Sequence, residues 1–468
     1  MNSNLTENLF HTYQKYFESR LSNKRFTHTD ILPLIKNAGE KKILTINLLG
    51  HSIEQREIVS LEYGEGETTI LLWSQMHGDE PTATMALFDI FNFFNTAEDG
   101  FDDLRTSIKK NLRLIFVPML NPDGAERIIR QNAAGIDLNR DAMRSQSPES
   151  KILIELVEKY KPDFAFNLHD QDFRWAVGTS DKLAAISLLA PVYDYDKSIN
   201  QSRSKAIKLI ADLRSDFEKY LPGQIARYKD DFEPRSFGDI ISGRNTSTIL
   251  IECGRDRNDS NKAFHRKLNF MMLLSAFNKI IIKGYEERSE NEYFAIPTNG
   301  NFMFDLILRN VKLPFKNLEC VVDMAINREE IYEGASRVPK LISSILDIGD
   351  LSTLKGLEEY DCTGLVFKEG KISDSTFNSL SELDETKIGT LLEQGILFVR
   401  SDEEFKTKRY SNIPINLLRK SSNFFPKTGI NSPANFNFTK HGKVVMHVIN
   451  GWLCDLGETE QVKNGLIF

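Results

Sequence analysis

His77 and Glu80 stand three residues apart in the stretch Thr69-Ile70-Leu71-Leu72-Trp73-Ser74-Gln75-Met76-His77-Gly78-Asp79-Glu80-Pro81-Thr82. An imidazole and a carboxylate at that spacing can each ligate zinc. The stretch reads as a buried strand, a tight loop and a helix start. Ile70 to Trp73 is the short apolar run of a strand buried on both faces. Gly78 allows a turn, and Pro81 suits a first helical turn. A polar pair at the carboxyl end of a buried strand is where open α/β sheets place their chemistry. The same spacing recurs in His51-Ser52-Ile53-Glu54. That copy runs into a polar turn with no helix behind it, so His51 is expected to be structural or at the surface.

Three further segments deliver polar residues. The strand Phe164 to Leu168 leads to His169, and Thr248 to Ile251 leads to Glu252. Asp137-Leu138-Asn139-Arg140 follows the turn Asn121-Pro122-Asp123-Gly124. A charged group at the end of an apolar strand is expensive unless paired or ligated. Taken singly, each has a plainer reading: Glu252 paired with Arg255, His169 as a satisfied core histidine, Asn139 and Arg140 on a solvated turn.

The elements that must position these residues alternate. Residues 43–62 hold two β-like runs, followed by the strand before His77. Helical and strand patterns then succeed each other to about residue 285, as in an α/β domain with a mixed, largely parallel central sheet flanked by helices. Residues 1–38 read as an amphipathic helical segment packed on that domain (39–288). The polar stretch 286–292 marks a boundary. Beyond it, 289–468 reads as a smaller α+β domain with no catalytic constellation.

A chain of 468 residues exceeds what one core usually supports. The net charge of −7 argues against non-specific nucleic-acid binding. No apolar run is long enough to span a membrane. The first residues lack the basic and apolar parts of a signal peptide, which points to the cytoplasm. The four cysteines (Cys253, Cys320, Cys362, Cys454) are far apart and are expected to be free buried thiols.

Taken together, His77-Gly78-Asp79-Glu80, Asn121-Pro122-Asp123-Gly124, Arg130-Gln131-Asn132, Gly135 to Arg140, Asn167-Leu168-His169 and Ile249 to Glu252 resemble the zinc carboxypeptidase family in order and approximate spacing. The resemblance covers about residues 40–280. It implies one Zn²⁺ per chain on His77, Glu80 and His169, with a position left for water. It implies that Asp137 accepts a hydrogen bond from a ligand histidine. It makes Glu252 the base for the zinc-bound water, Arg130 the stabiliser of the oxyanion, and Asn139 and Arg140 the grip on the substrate's terminal carboxylate. The family's phenolic donor should lie roughly twenty residues before Glu252. Tyr228 lies 24 before it and is preferred to Tyr220. The pocket for the released side chain should come from 230–247, where charges of both signs leave its preference open.

The reaction so implied is hydrolysis of a C-terminal peptide or peptide-like amide bond in a substrate with a free carboxylate. A related deacylase of N-acylated amino acids, similar to aspartoacylase or succinylglutamate desuccinylase, shares the His-x-x-Glu and Asp-Leu-Asn-Arg elements. A non-catalytic binding module on the same fold would be expected to have lost a ligand or the base, and this chain keeps both.

Overall fold

The computed structural model describes residues 5–40, 42–255, 259, 261–315, 318–334, 336–405, 409–456 and 458–468. Internal contacts divide the chain into two compact units, Met1–Asn301 and Phe302–Phe468.

The first unit begins with α1 (Leu5–Thr12) and α2 (His28–Glu40), then the hairpin β1 (Thr45–His51) and β2 (Glu57–Tyr63). Next come β3 (Thr68–Trp73), α3 (Thr82–Phe94), α4 (Asp102–Asn111), β4 (Leu112–Val117), α5 (Pro122–Arg127), α6 (Pro148–Tyr160) and β5 (Phe164–Asp170). They are followed by β6 (Ala176–Val177), β7 (Ile186–Leu189), α7 (Gln201–Phe217), β8 (Ile225–Arg227), α8 (Phe237–Ser242) and β9 (Ser247–Cys253). The unit closes with α9 (Ala263–Ile282), α10 (Glu290–Phe294) and β10 (Asn299–Gly300).

Eight strands form a mixed sheet in the order β1-β2-β4-β3-β5-β9-β7-β8. Its centre, β4-β3-β5-β9, is parallel. The pairings β1-β2, β2-β4 and β7-β9 are antiparallel. Alternation along β3 explains the apolar run: Ile70 and Leu72 enter one core, Leu71 and Trp73 the other. The first core packs α3, α7 and α9 on one sheet face, with Phe91, Phe93, Phe116, Phe166 and Phe270 almost fully buried. The second packs α6 and α8 on the other face. Each such side chain removed from water contributes about 1.5–3 kcal/mol.

The leading segment belongs to this unit. Buried Arg266 of α9 clamps the carboxylate of buried Asp89 on α3, at 2.5 and 2.7 Å. The same guanidinium donates to the carbonyls of Leu21 (2.6 Å) and Glu18 (3.1 Å). The division between units falls later than the polar stretch 286–292 suggests. In α10 the phenol of Tyr293 accepts the N–H of Ala190 at 3.2 Å, and β10 pairs with β6. These contacts hold residues 290–300 to the first unit.

The second unit is β-rich. Three long strands, β11 (Met303–Phe315), β12 (Leu318–Ile331) and β13 (Lys340–Gly349), belong to an eight-stranded sheet, beside a separate three-stranded parallel sheet. One α-helix, α11 (Glu385–Glu393), lies among its described residues. All four cysteines are free. Cys253, Cys362 and Cys454 are buried, but Cys320 is exposed on β12, contrary to the expectation of a buried thiol. No helix of the described residues is long and apolar enough to cross a membrane.

Candidate active site

The loop after β3 is built on close backbone contact. A Cβ at Gly78 would lie 2.0 Å from the carbonyl carbon of Gly124, and one at Gly124 would lie 2.6 Å from the Gln131 carbonyl oxygen. Only glycine fits at these two positions. Asn121 caps α5 by accepting the Gly124 N–H at 2.9 Å. Its Nδ2 donates to the carbonyls of Met76 (3.1 Å) and Arg130 (3.3 Å). The Asn-Pro-Asp-Gly turn thus fixes the loop that carries His77 and the loop that carries Arg130.

His77, Glu80 and His169 converge, with potential ligand atoms all within 4.8 Å of one another. His77 Nδ1 lies 2.7 Å from Glu80 Oε1, and His169 Nδ1 lies 2.7 Å from Glu80 Oε2. His77 Nε2 lies 3.1 Å from Asp137 Oδ1, and a proton held there by that carboxylate would leave the Nδ1 lone pair facing inward for a metal. Two imidazoles and a carboxylate form the donor set of a catalytic zinc site. The geometry therefore fits a zinc ion without rearrangement of the fold.

The electrostatics call for positive charge at this point. Burial opposes protonation of His77, but the carboxylates of Glu80 and Asp137 outweigh it and lift its pKa to about 9. Burial dominates at His169 and lowers its pKa. Glu80 is held well below the usual carboxylate range, because the two imidazoles overcome its desolvation. A cation stabilised between these three side chains can be a proton or a metal.

Strand register brings Glu252 to the same place. His169 on β5 pairs directly with Glu252 on β9, so the two side chains stand next to each other on one sheet face. Burial, reinforced by the charge of Glu80, pushes Glu252 well above the usual carboxylate range. It does not pair with Arg255, whose guanidinium rests on the ring of Phe173 at 4.4 Å.

Around this cluster is a polar cleft of about 270 Å³ lined by His77, Glu80, Arg130, Asn139, Arg140, His169, Tyr228 and Glu252, among others. Arg130 Nε donates to Asp137 Oδ2 at 2.9 Å, and Nη1 lies 3.5 Å from Glu80 Oε1. Asp137 also accepts the Asn139 N–H at 2.9 Å, capping the turn that presents Asn139 and Arg140. Asn139 Oδ1 accepts the Phe237 N–H at 2.9 Å, which ties this turn to α8. Arg140 lies 3.6 Å from Glu233 and stays partly exposed. Tyr228 packs beside Trp175 with ring centroids 5.8 Å apart. Burial, then the charges of Glu252 and Glu80, raise its phenol. Tyr220 stacks on Phe10 of α1 instead. His51 is exposed at the end of β1, and Glu54 pairs with Arg56 and Arg127.

The cleft also holds residues to which their sequence motifs attach no role. Asn167 and Asp239 line it, and Asp170 does so with Lys262 behind it. Lys262 Nζ lies 3.0 Å from Asp170 Oδ2, and the Asp170 N–H donates to Glu80 Oε2 at 3.2 Å. The sequence signal was a lysine and three polar residues spread over three segments, which becomes specific only with the fold known.

Residues 35–167 match the zinc carboxypeptidase family model. Carboxypeptidase D of Homo sapiens is 31% identical over 190 residues, which is 36% of this chain and 12% of that protein. An uncharacterized protein of Zymomonas mobilis is 28% identical over 143 residues, 30% of this chain and 37% of that protein. The chain thus spans little more than a third, or less, of these curated relatives. Among solved structures, a metallo-carboxypeptidase from Burkholderia cenocepacia aligns with a TM-score of 0.45 at 17% identity, over 56% of this chain and 70% of that one.

Proposed function

We propose that this zinc carboxypeptidase-like chain is a zinc metallocarboxypeptidase that hydrolyses the C-terminal peptide bond of a substrate with a free carboxylate. The observation that carries the reading is the joint placement of a His-Glu-His cluster and Glu252, which has no ion-pair partner among the described residues, set side by side by the register of β5 and β9. His77, Glu80 and His169 would hold the zinc ion, which when bound supplies Lewis-acid polarisation of the scissile carbonyl and of water. Glu252 takes the proton of the attacking water and passes it to the leaving amine. Its raised pKa suits a group that must accept and return a proton. Glu80 lies between the two histidines and would hold the cation, whereas Glu252 has no basic partner among the described residues and faces the cleft as the base.

Arg130 faces the cleft with its position set by Asp137, and would meet the negative oxygen that forms on the substrate carbonyl. Arg140 and Asn139 would bind the terminal carboxylate, for which a guanidinium fork offers two parallel hydrogen bonds. Tyr228 would close over the substrate from the β8 side, its phenol kept protonated and able to donate.

The test combines metal analysis with peptides that differ only at the C-terminus. One zinc per chain and cleavage of free-acid peptides but not their amides are expected. Arg140→Met should lower kcat/KM on free acids roughly ten- to hundred-fold, the value of a hydrogen bond to a charged group. Equal cleavage of amides and acids, unaffected by Arg140→Met, would refute the exopeptidase reading. Preference for short N-acyl amino acids over peptides would replace it with the deacylase reading.

A further inference from the structure

We propose that Arg227 is a positioning residue for Tyr228, and that residues 293–300, where the chain leaves the first unit, hold both in place as part of the frame of the cleft. The inference rests on the carboxypeptidase reading above and concerns how its phenolic donor is placed.

Tyr228 lines the cleft, yet among the described residues its phenol has no hydrogen-bond partner. Its place is set by its backbone and its ring. The backbone N–H donates to the Leu188 carbonyl of β7 at 2.9 Å, and the ring packs beside Trp175. Tyr228 directly follows β8, which is three residues long and is the last strand of the eight-stranded sheet. A short edge strand has few ladder bonds with which to fix the residue after it.

Residues 293–300 supply what that edge lacks. Neighbours in an extended chain point to opposite sides, so Tyr228 faces the cleft and Arg227 lies behind it. There the Arg227 N–H donates to the Pro297 carbonyl at 2.8 Å, and the guanidinium donates to Thr298 Oγ1 at 3.1 Å. The guanidinium also lies 5.6 Å from the ring centroid of Tyr293 and 5.8 Å from that of Phe294, both on α10. It reaches Asp230, two residues after Tyr228, at 3.4 Å.

The same segment holds the Trp175 side. The Gly178 N–H donates to the Thr298 carbonyl at 2.9 Å, and Asn299 and Gly300 pair with Val177 and Ala176, the residues that follow Trp175. Thr298 therefore joins both rims. Its side chain and the carbonyl before it hold the Tyr228 strand, and its own carbonyl holds the Trp175 strand. Gly178 permits the approach: its φ is +60°, and a Cβ there would lie 3.2 Å from Pro297 Cβ. Buried Asn299 reaches Gln171 Oε1 at 3.5 Å, and Gln171 lines the cleft two residues after His169. A segment that only joined two units would need none of these contacts.

The test uses the zinc-loaded full-length protein and free-acid peptides. Arg227→Met, Arg227→Lys and Thr298→Val are each made alone and together with Tyr228→Phe. Loosening the segment lets Tyr228 leave its place for part of the time, so the loss in kcat/KM is bounded by that of Tyr228→Phe. Thr298→Val keeps the shape and removes one hydrogen bond, and should lower kcat/KM roughly two- to ten-fold. Arg227→Met should lower it at least as much, and Arg227→Lys should recover part of the loss. Zinc content should not change. Acrylamide should quench the half-buried Trp175 more strongly in Thr298→Val and Arg227→Met than in the wild type. In the Tyr228→Phe background none of the three should lower kcat/KM further, because residues that act through one group are not additive. Full additive losses in that background overturn the assignment, as do wild-type values in both Thr298→Val and Arg227→Met. If Arg227→Met does not fold, Thr298→Val decides alone. A fully active Tyr228→Phe overturns the assignment and leaves the carboxypeptidase reading standing. No hydrolysis by the wild type overturns the carboxypeptidase reading, and this assignment with it.

Discussion

Asp239→Asn should stabilise the protein at neutral pH, although it removes a side chain of the cleft. A carboxyl whose pKa rises from 3.8 to about 7 on folding is bound to its proton more tightly in the folded state. The sign follows from linkage. The stability contributed by that proton is fully present below the unfolded pKa and is lost as pH rises through the folded one. Between pH 4 and 7 the wild type should therefore lose up to about 4 kcal/mol that the neutral asparagine does not lose. For a unit of about 300 residues the unfolding entropy is roughly 0.6 kcal/mol/K, so the difference corresponds to as much as about 7 °C in Tm at pH 8. Asparagine keeps the shape and can still accept the Glu233 N–H, so no new cavity confuses the comparison. The assay is thermal unfolding of both zinc-loaded proteins from pH 4 to 8. The two Tm values should meet near pH 4 and diverge through pH 7. If the curves run parallel across that range, Asp239 is not a destabilising buried acid and the reasoning fails.

Three other outcomes are expected. Glu252→Gln should fold and bind zinc while losing 10²–10⁴-fold in kcat, as measured by steady-state hydrolysis, and near-normal turnover would remove Glu252 from the role of base. Lys262→Met should weaken zinc binding roughly ten- to hundred-fold in chelator competition, because it leaves the carboxylate of Asp170, whose N–H holds Glu80, with Thr82 but no cation; an unchanged affinity would make the pair purely structural. Arg266→Met should cost about 3–5 kcal/mol in denaturant unfolding by leaving Asp89 buried and unpaired, and a loss under 1 kcal/mol would show that the N-terminal segment is not held by this clamp.

What could be read from the sequence, and what could not, follows from the range of the interactions. The His77 loop was legible because its parts are local: an apolar run, a glycine and a helix start within fourteen residues. The glycines of His-Gly-Asp-Glu and Asn-Pro-Asp-Gly were visible, but not their reason, which is that the two loops press backbone on backbone 46 residues apart in sequence. The strands β7 and β8, four and three residues long, carry too few positions for a period to show. Helix α8, six residues long, is equally mute. In the second unit the long strands β11 to β13 mix charged and apolar residues. Arg309, for example, lies on β11 with its guanidinium tied to Asp323 and Glu359. A sheet with one wetted face does not announce itself through hydrophobic runs.

The step from single residues to a site required register. Asn167, His169, Leu250 and Glu252 are scattered over 86 residues of sequence, yet the parallel pairing of β5 with β9 sets Asn167 against Leu250 and His169 against Glu252. Residues two apart on a strand share a face, so the four side chains must form one patch. A slip of one residue would turn His169 and Glu252 to opposite faces and bury one of them among the phenylalanines of the α9 side. The apolar residues between them, Leu168 and Ile251, belong to that core and are 1% and 0% exposed. Burial of these neighbours therefore enforces the register, and the register assembles the site. The same core that stabilises the fold thus decides which polar residues meet in the cleft. Leu168→Ala should accordingly lower activity and zinc affinity together with stability, whereas a substitution in the core away from this pairing, such as Phe217→Leu, should lower stability alone.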